Sequence, residues 1–350
     1  MFVLAAMVVT NVYPQFIQQH THSDGDIVAK LDESIVTLPL HPKVDKIQGL
    51  NHYYMLPSEN NTAMVPLGVL VYLHSCRQSG LEVFHLPESR IVIQKALEKG
   101  LVVFAPSSFH RESGCYTELD SDYLPRIVQD WTRNHRLDAL PRVGMGESSG
   151  ASFLFFVHKE LDLKSMAVYN TPQIFPDEEW DTAIPTTFLT MPLDDPVATR
   201  TTKHVQMLKQ HNISSQLYKV TSRPFTDSLC AVRFPELPRQ FCQVSIFQAL
   251  RAESNLLLNA DGFAQGTTDS KPWEKFFRKL EAEYLSYRTK VKVPSPYDTN
   301  RAGVGHSWLW AVVEHEIQSC QGYHAMTAAF HEDILQFLLQ TAEIGVEEGT

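Results

Sequence analysis

The sequence predicts an α/β fold, a mostly parallel central sheet flanked by helices, and three observations lead to it. Uninterrupted apolar runs of strand length recur, residues 67–73 (Leu-Gly-Val-Leu-Val-Tyr-Leu) being the plainest, and such runs suit strands buried on both faces. They alternate with helix-length stretches, the pattern of parallel strands joined by crossover helices. Between a short apolar piece at 143–145 and a helix-like run rich in Ala, Phe and Leu lies Gly146-Glu147-Ser148-Ser149-Gly150. This is a G-x-S-x-G motif in a strand–turn–helix setting, the context that gives it meaning.

Taken in order, residues 1–9 are apolar but too short to cross a membrane and have no basic flank. They read as a first strand or a clipped signal remnant, the strand being preferred. Residues 10–47 lack a clear period, so 1–47 is an N-terminal extension or an edge strand. A strand over 51–56 ends at Pro57, and Ser-Glu-Asn-Asn-Thr over 58–62 is turn chemistry. After the strand 67–73 comes a helix over 87–99, with Ile91, Ile93, Ala96 and Leu97 apolar and Gly100 at its C-terminus. A strand at 101–105 stops at Pro106. Leu124, Ile127, Val128 and Trp131, three and four apart, mark a helix over 122–135. Beyond the serine turn, strands are expected at 166–169, 186–191 and 216–220, with a helix at 197–210. Residues 222–302 break the rhythm with aromatic helical stretches at 241–258 and 273–287, and are expected to form a cap insertion over the site. A tight turn at 303–308 and a closing helix at 327–339 complete a core made of 48–221 and 303–350.

With 350 residues, 43 % of them hydrophobic, the chain can bury a full core. Its net charge of −10 argues against nucleic acid or an anionic membrane as the main partner. No run approaches the roughly 18 apolar residues of a membrane span. The five cysteines have no C-x-x-C spacing, which argues against zinc and thioredoxin-type chemistry, and an odd number leaves at least one thiol unpaired in a monomer. Sequons at Asn60 and Asn212 add little, since such tripeptides are common by chance.

A serine hydroxyl is a weak nucleophile until a base reaches it, and a sharp turn at Ser148 would hold it clear of its neighbours. The base needs an orienting carboxylate, and a developing oxyanion needs two donors. Asp194 and Asp195 follow the strand at 186–191, at the carboxyl end where an orienter belongs. Asp195 is preferred because Pro196-Val197 start the next helix after it; either aspartate could instead cap that helix. His306, between Gly303-Val304-Gly305 and Ser307, is the preferred base. His315 and His324 follow helical or polar stretches, and His331 lies within the last helix. The Ser149 amide at the start of the following helix is one expected oxyanion donor.

The second donor belongs to the loop after the strand 67–73, which reads His74-Ser75-Cys76-Arg77-Gln78. With Asp120-Ser121-Asp122-Tyr123, Leu137-Asp138, Arg142-Val143 and Gly305-His306-Ser307-Trp308, this segment resembles α/β-hydrolase esterases of the polyhydroxybutyrate-depolymerase and feruloyl-esterase-like group. That group has His-Gly-Cys-x-Gln at the first place and Gly-His-Thr-Trp at the last; here Ser75 replaces the glycine. The resemblance covers about residues 50–220 and 303–340, and 222–302 has no counterpart in it. It implies the α/β-hydrolase fold and oxyanion amides at Cys76 and Ser149. It also implies a Cys76–Cys115 bridge, two buried thiols being the alternative; a bridge means an oxidising compartment, and secretion is slightly favoured over the cytoplasm. The expected activity is a serine esterase with a Ser148–His306–Asp195 triad, acting on a small-molecule or polymeric ester without metal or organic cofactor. A peptidase or lactonase on the same scaffold is the alternative, as is a non-catalytic binding protein, which Ser75 favours.

Overall fold

The computed structural model describes residues 39–57, 65–110, 112–171, 173, 175, 177–191, 193–252, 257–268, 270–291 and 308–344. Its strands are β1 (Lys43–Ile47), β2 (Leu50–Met55), β3 (Gly68–Leu73), β4 (Leu101–Ala105), β5 (Arg142–Glu147), β6 (Leu163–Tyr169), β7 (Thr186–Thr190) and β8 (Ser215–Lys219). They form one sheet in the order β1-β2-β4-β3-β5-β6-β7-β8. β2 runs antiparallel to β1 and β4, and every other pairing is parallel. The α/β-hydrolase architecture expected from the sequence is therefore the one formed. β1 supplies the edge strand anticipated within residues 10–47; residues 1–9 and the turn expected at 303–308 lie outside the described residues, apart from Trp308, which opens a helix.

The helices are α1 (Gly80–Val83), α2 (Pro87–Glu98), α3 (Glu118–Asn134), α4 (Ser149–Val157), α5 (Asp195–Gln210), α6 (Asp227–Arg233), α7 (Ala249–Ala252), α8 (Lys271–Val291), α9 (Trp308–Gln321) and α10 (His331–Thr341). The pleat of β3 divides the core. Val69, Val71 and Leu73 face α3, α4 and α5, whereas Leu70 and Tyr72 face α2 and α10. All six residues of β3 are buried, which explains the unbroken apolar run. Each such Val or Leu contributes about 1.5–3 kcal/mol through burial, so the sheet centre anchors the fold. α3 starts at Glu118, four residues before the helix expected over 122–135. The Thr117 side chain and Asp120 form a reciprocal capping box there, and Asp120 also accepts the Phe109 N–H at 2.7 Å.

Residues beyond β8 build a third apolar cluster, distinct from the two on the sheet faces. It gathers Leu229 and Cys230 of α6, Phe241 and Ile246, Trp273, Phe276, Phe277 and Leu280 of α8, and Leu309, Trp310, Val313 and Ile317 of α9. Phe277 and Trp310 stack with centroids 5.1 Å apart. The helical stretch expected over 241–258 is shorter: a wound segment, Phe241–Gln248, runs into the single turn of α7. A Cys230–Cys242 disulfide pins that segment to α6. α9, which has no counterpart among the helices read from the sequence, joins this cluster and then leads the chain back to the sheet.

Candidate active site

Ser148 occupies the turn between β5 and α4 with φ +51°, a left-handed conformation that costs a non-glycine residue about 1–3 kcal/mol. Its surroundings impose that turn. The Ser148 N–H donates to the Tyr169 carbonyl at the end of β6, 2.9 Å away. A Cβ at Gly146 would lie 2.7 Å from the Ala151 nitrogen, and one at Gly150 would lie 2.4 Å from the Leu73 carbonyl oxygen and 2.6 Å from that of His74. Both glycines of the motif are therefore needed for close backbone approach. Gly150 in particular lets the loop after β3 lie against the first turn of α4.

The imidazole beside Ser148 belongs to His324. α9 ends at Gly322 (φ +71°), where the Gly322 N–H donates to Ser319 O and the Tyr323 N–H to Gln318 O, at 3.2 and 3.1 Å. This paired-bond helix stop turns the chain sharply, and two residues later His324 Nε2 lies 2.8 Å from Ser148 Oγ. Its Nδ1 lies 2.5 Å from Asp194 Oδ2. With Nδ1–H donated to the carboxylate, Nε2 is left to accept the serine proton, the tautomer a general base requires. The hydrogen bond that His324 donates to Asp194 raises its pKa above the ordinary value; burial opposes this, and the negative charges of Asp194 and Glu147 add to the rise.

Asp194 stands at the N-cap position of α5 but makes no capping bond with its side chain, which is turned to His324 instead. The Leu193 N–H donates to Gly322 O at 3.2 Å, tying the carboxylate's loop to the histidine's. The structure brings Asp194 to His324 and His324 to Ser148, where the sequence reading preferred Asp195 and His306. Asp195 is the exposed first residue of α5, where its charge suits the helix N-terminus, and its neighbour Asp194 reaches the imidazole. His306 lies outside the described residues, and the place at Ser148 Oγ is filled by His324. The missed signal was Gln321-Gly322, a helix-ending glycine that frees the chain to turn His324 inward.

The loop after β3 is held from three sides. His74 donates from Nδ1 to the Ser75 carbonyl at 2.8 Å and accepts the Ser108 N–H at Nε2 at 3.2 Å, and burial lowers its pKa, which favours this neutral form. The Arg77 N–H donates to Ser113 O at 2.7 Å. Cys76 is bridged to Cys115, the pairing the resemblance implied. Ser75, in place of the resembled group's glycine, is buried, and its N–H donates to Gln78 Oε1 at 3.3 Å. Ser149 opens α4, so its N–H is one of the first-turn donors that a helix leaves without an internal partner. Its hydroxyl is buried with no hydrogen-bond partner among the described residues. Of the five cysteines, Cys320 is free, and it is buried in α9.

Among the described residues, no group of three or more His, Cys, Asp or Glu is disposed to hold a metal ion, and no helix is long and apolar enough to cross a membrane. No protein-family model matches the chain, and no curated protein does. Solved structures similar to it include a carboxylesterase from Bacillus cereus at 15 % identity, with 52 % of this chain and 91 % of that one covered and a TM-score of 0.36. Another is XC6422 of Xanthomonas campestris, described as an α/β serine hydrolase without a lid, at 16 % identity, 59 % and 94 % coverage and a TM-score of 0.39. A third is the thermophilic esterase Est2 of Thermogutta terrifontis, at 11 % identity, 77 % and 96 % coverage and a TM-score of 0.39. Likeness at this level assigns no substrate to the chain.

Proposed function

We propose that the protein is a serine hydrolase that cleaves carboxylic esters through an acyl-enzyme. The observation that carries this reading is the continuous relay from Ser148 Oγ to His324 Nε2 and from His324 Nδ1 to Asp194 Oδ2. In it Ser148 attacks the ester carbonyl carbon while His324 takes the hydroxyl proton, and Asp194 holds the tautomer and stabilises the imidazolium that forms. His324 then returns the proton to the leaving alcohol. Water, activated by the same imidazole, hydrolyses the acyl-serine. The negative charge on the tetrahedral intermediate is assigned to the amides of Ser149 and Cys76, each such donor contributing about 3–4 kcal/mol to the transition state.

The strained Ser148 backbone supports this assignment, because a turn held at φ +51° presents the hydroxyl away from its neighbours. The two disulfides fit an oxidising compartment. The segment 222–302, of which 292–302 lie outside the described residues, is assigned the role of a cap that shapes the acyl site, since its described part packs on α9, the helix that leads to His324. Turnover of p-nitrophenyl esters of increasing acyl length tests the reading: activity is expected in the wild type and loss of at least about 10³-fold in Ser148→Ala. Activity that survives this substitution would move the chemistry to another residue.

A further inference from the structure

The chain carrying His324 is fastened by three buried side chains, Asn170 just after β6, His315 on α9 and Glu88 on α2. The Ala325 carbonyl accepts from Asn170 Nδ2 at 2.7 Å, and the Met326 N–H donates to His315 Nε2 at 3.2 Å. Glu88, on α2, takes the next two groups with a single oxygen: its Oε2 accepts the Thr327 hydroxyl at 3.2 Å and the Ala328 N–H at 2.6 Å. Glu88 is 0 % exposed. A carboxylate so placed costs several kcal/mol in lost hydration unless it is paired, and its other oxygen supplies the pairing. Oε1 accepts from Arg233 Nε at 2.8 Å and Arg223 Nη2 at 3.2 Å. Both arginines belong to the segment after β8, Arg233 on α6 and Arg223 just before it.

The arrangement is more than a buried ion pair. Arg223 also donates to Glu316 of α9 at 2.9 Å, so two carboxylates share two guanidiniums. Of the two, Glu88 accepts from more donors. Burial would raise its pKa, but Arg223, Arg233 and the Ala328 N–H bring it below the ordinary carboxylate value, whereas burial and the charge of Glu88 push that of Glu316 up. Glu88 therefore has one oxygen on the histidine's loop and the other on the helical segment. The loop residues it holds lie three and four positions from His324.

We propose that Glu88 is a positioning residue for His324, through which the helical segment beyond β8 sets the placement of the base. The proposal rests on the serine-hydrolase reading for its kinetic consequence, though not for its geometry. An amide cannot replace this carboxylate. If its oxygen faces Thr327 and Ala328, its NH₂ meets two guanidiniums that can only donate; if it turns round, the loop loses its acceptor.

The test compares full-length wild type with Glu88→Gln. Expected are a kcat for p-nitrophenyl butyrate lower by about tenfold or more with KM within about twofold, as for a displaced base, and fluorophosphonate labelling slowed in proportion. The low-field proton resonance of His324 Nδ1–H, bonded to Asp194, should broaden or vanish while circular dichroism is unchanged. Unchanged kcat with that resonance intact would overturn the proposal, as would a loss confined to KM. Should Glu88→Gln fail to fold, Thr327→Val removes one of the two loop contacts and decides the matter. A several-fold lower kcat with a shifted resonance supports the clamp, and wild-type values in both refute it. A wild type that fluorophosphonate does not label would sink the hydrolase reading instead, and the Nδ1–H resonance would still report on the clamp.

Discussion

Asp194 and Asp195 are neighbours in sequence, yet one carboxylate is 2.5 Å from an imidazole and the other is exposed at the start of a helix. The expected consequence is a large asymmetry: Asp194→Asn should lower kcat by about 10³–10⁴-fold, and Asp195→Asn by less than about twofold. The contact between Asp194 and His324 is expected to set the pH dependence as well. A protonated His324 cannot accept the serine proton, so kcat/KM should rise with pH through an apparent pKa above the ordinary 6.5 of histidine. Asp194→Asn removes the main cause of that rise, so the acid limb should move to lower pH while the plateau falls. A pH–rate profile of both variants checks these signs. The turn at Ser148 was legible in the sequence because its motif is local, with both motif glycines that shape it within two residues. The carboxylate was legible only to within one position, since both aspartates satisfy the rule of lying past a strand end. His324 was not, because its approach to Ser148 depends on the Gly322 helix stop and on side chains as distant in sequence as Glu88 and Asn170.

Among the elements, β5, its turn and α4 are constrained by close backbone approach. A methyl group at Gly150 would lie 2.4 and 2.6 Å from two carbonyl oxygens of the chain leaving β3, and backbone atoms cannot swing aside as side chains do. Gly150→Ala should therefore push α4 away from that loop. A drop in thermal midpoint and loss of esterase activity would be measured together, and a stable, active Gly150→Ala would show that the close approach is unnecessary. Elements with a strong period or a full apolar run, β3, β4 and α3 among them, read correctly from sequence apart from their ends. The start of α3 moved to Glu118 because its capping box lies upstream of the apolar pattern. α9 went unread for the opposite reason. Packed between the sheet domain and the third cluster, it is buried almost all round, and polar residues such as His315, Glu316 and Ser319 sit on its buried surface, which blurs the contrast between faces that marks a helix in sequence.

Across the whole molecule, two disulfides stabilise different parts. Cys76–Cys115 closes 39 residues around the loop after β3, and Cys230–Cys242 closes 12 within the helical segment. On loop-closure grounds each contributes about 3–4 kcal/mol. Reduction and alkylation should lower the thermal midpoint, and Cys76→Ser with Cys115→Ser should also cost activity because that loop borders the nucleophile's helix. Equal activity with and without that bridge would remove its role at the site. The sheet order and the crossovers were readable from alternating runs. The third cluster was readable only as a break in that alternation, because its helices are organised by a disulfide and by buried charges contributed from α2. The central claim is that Ser148, activated by His324, is the nucleophile, and the most direct measurement is covalent labelling of the native protein with a fluorophosphonate followed by peptide mass analysis. One adduct on Ser148 is expected, absent in Ser148→Ala and strongly slowed in His324→Ala. An adduct on another residue, or labelling of Ser148 at the wild-type rate without His324, would contradict the account.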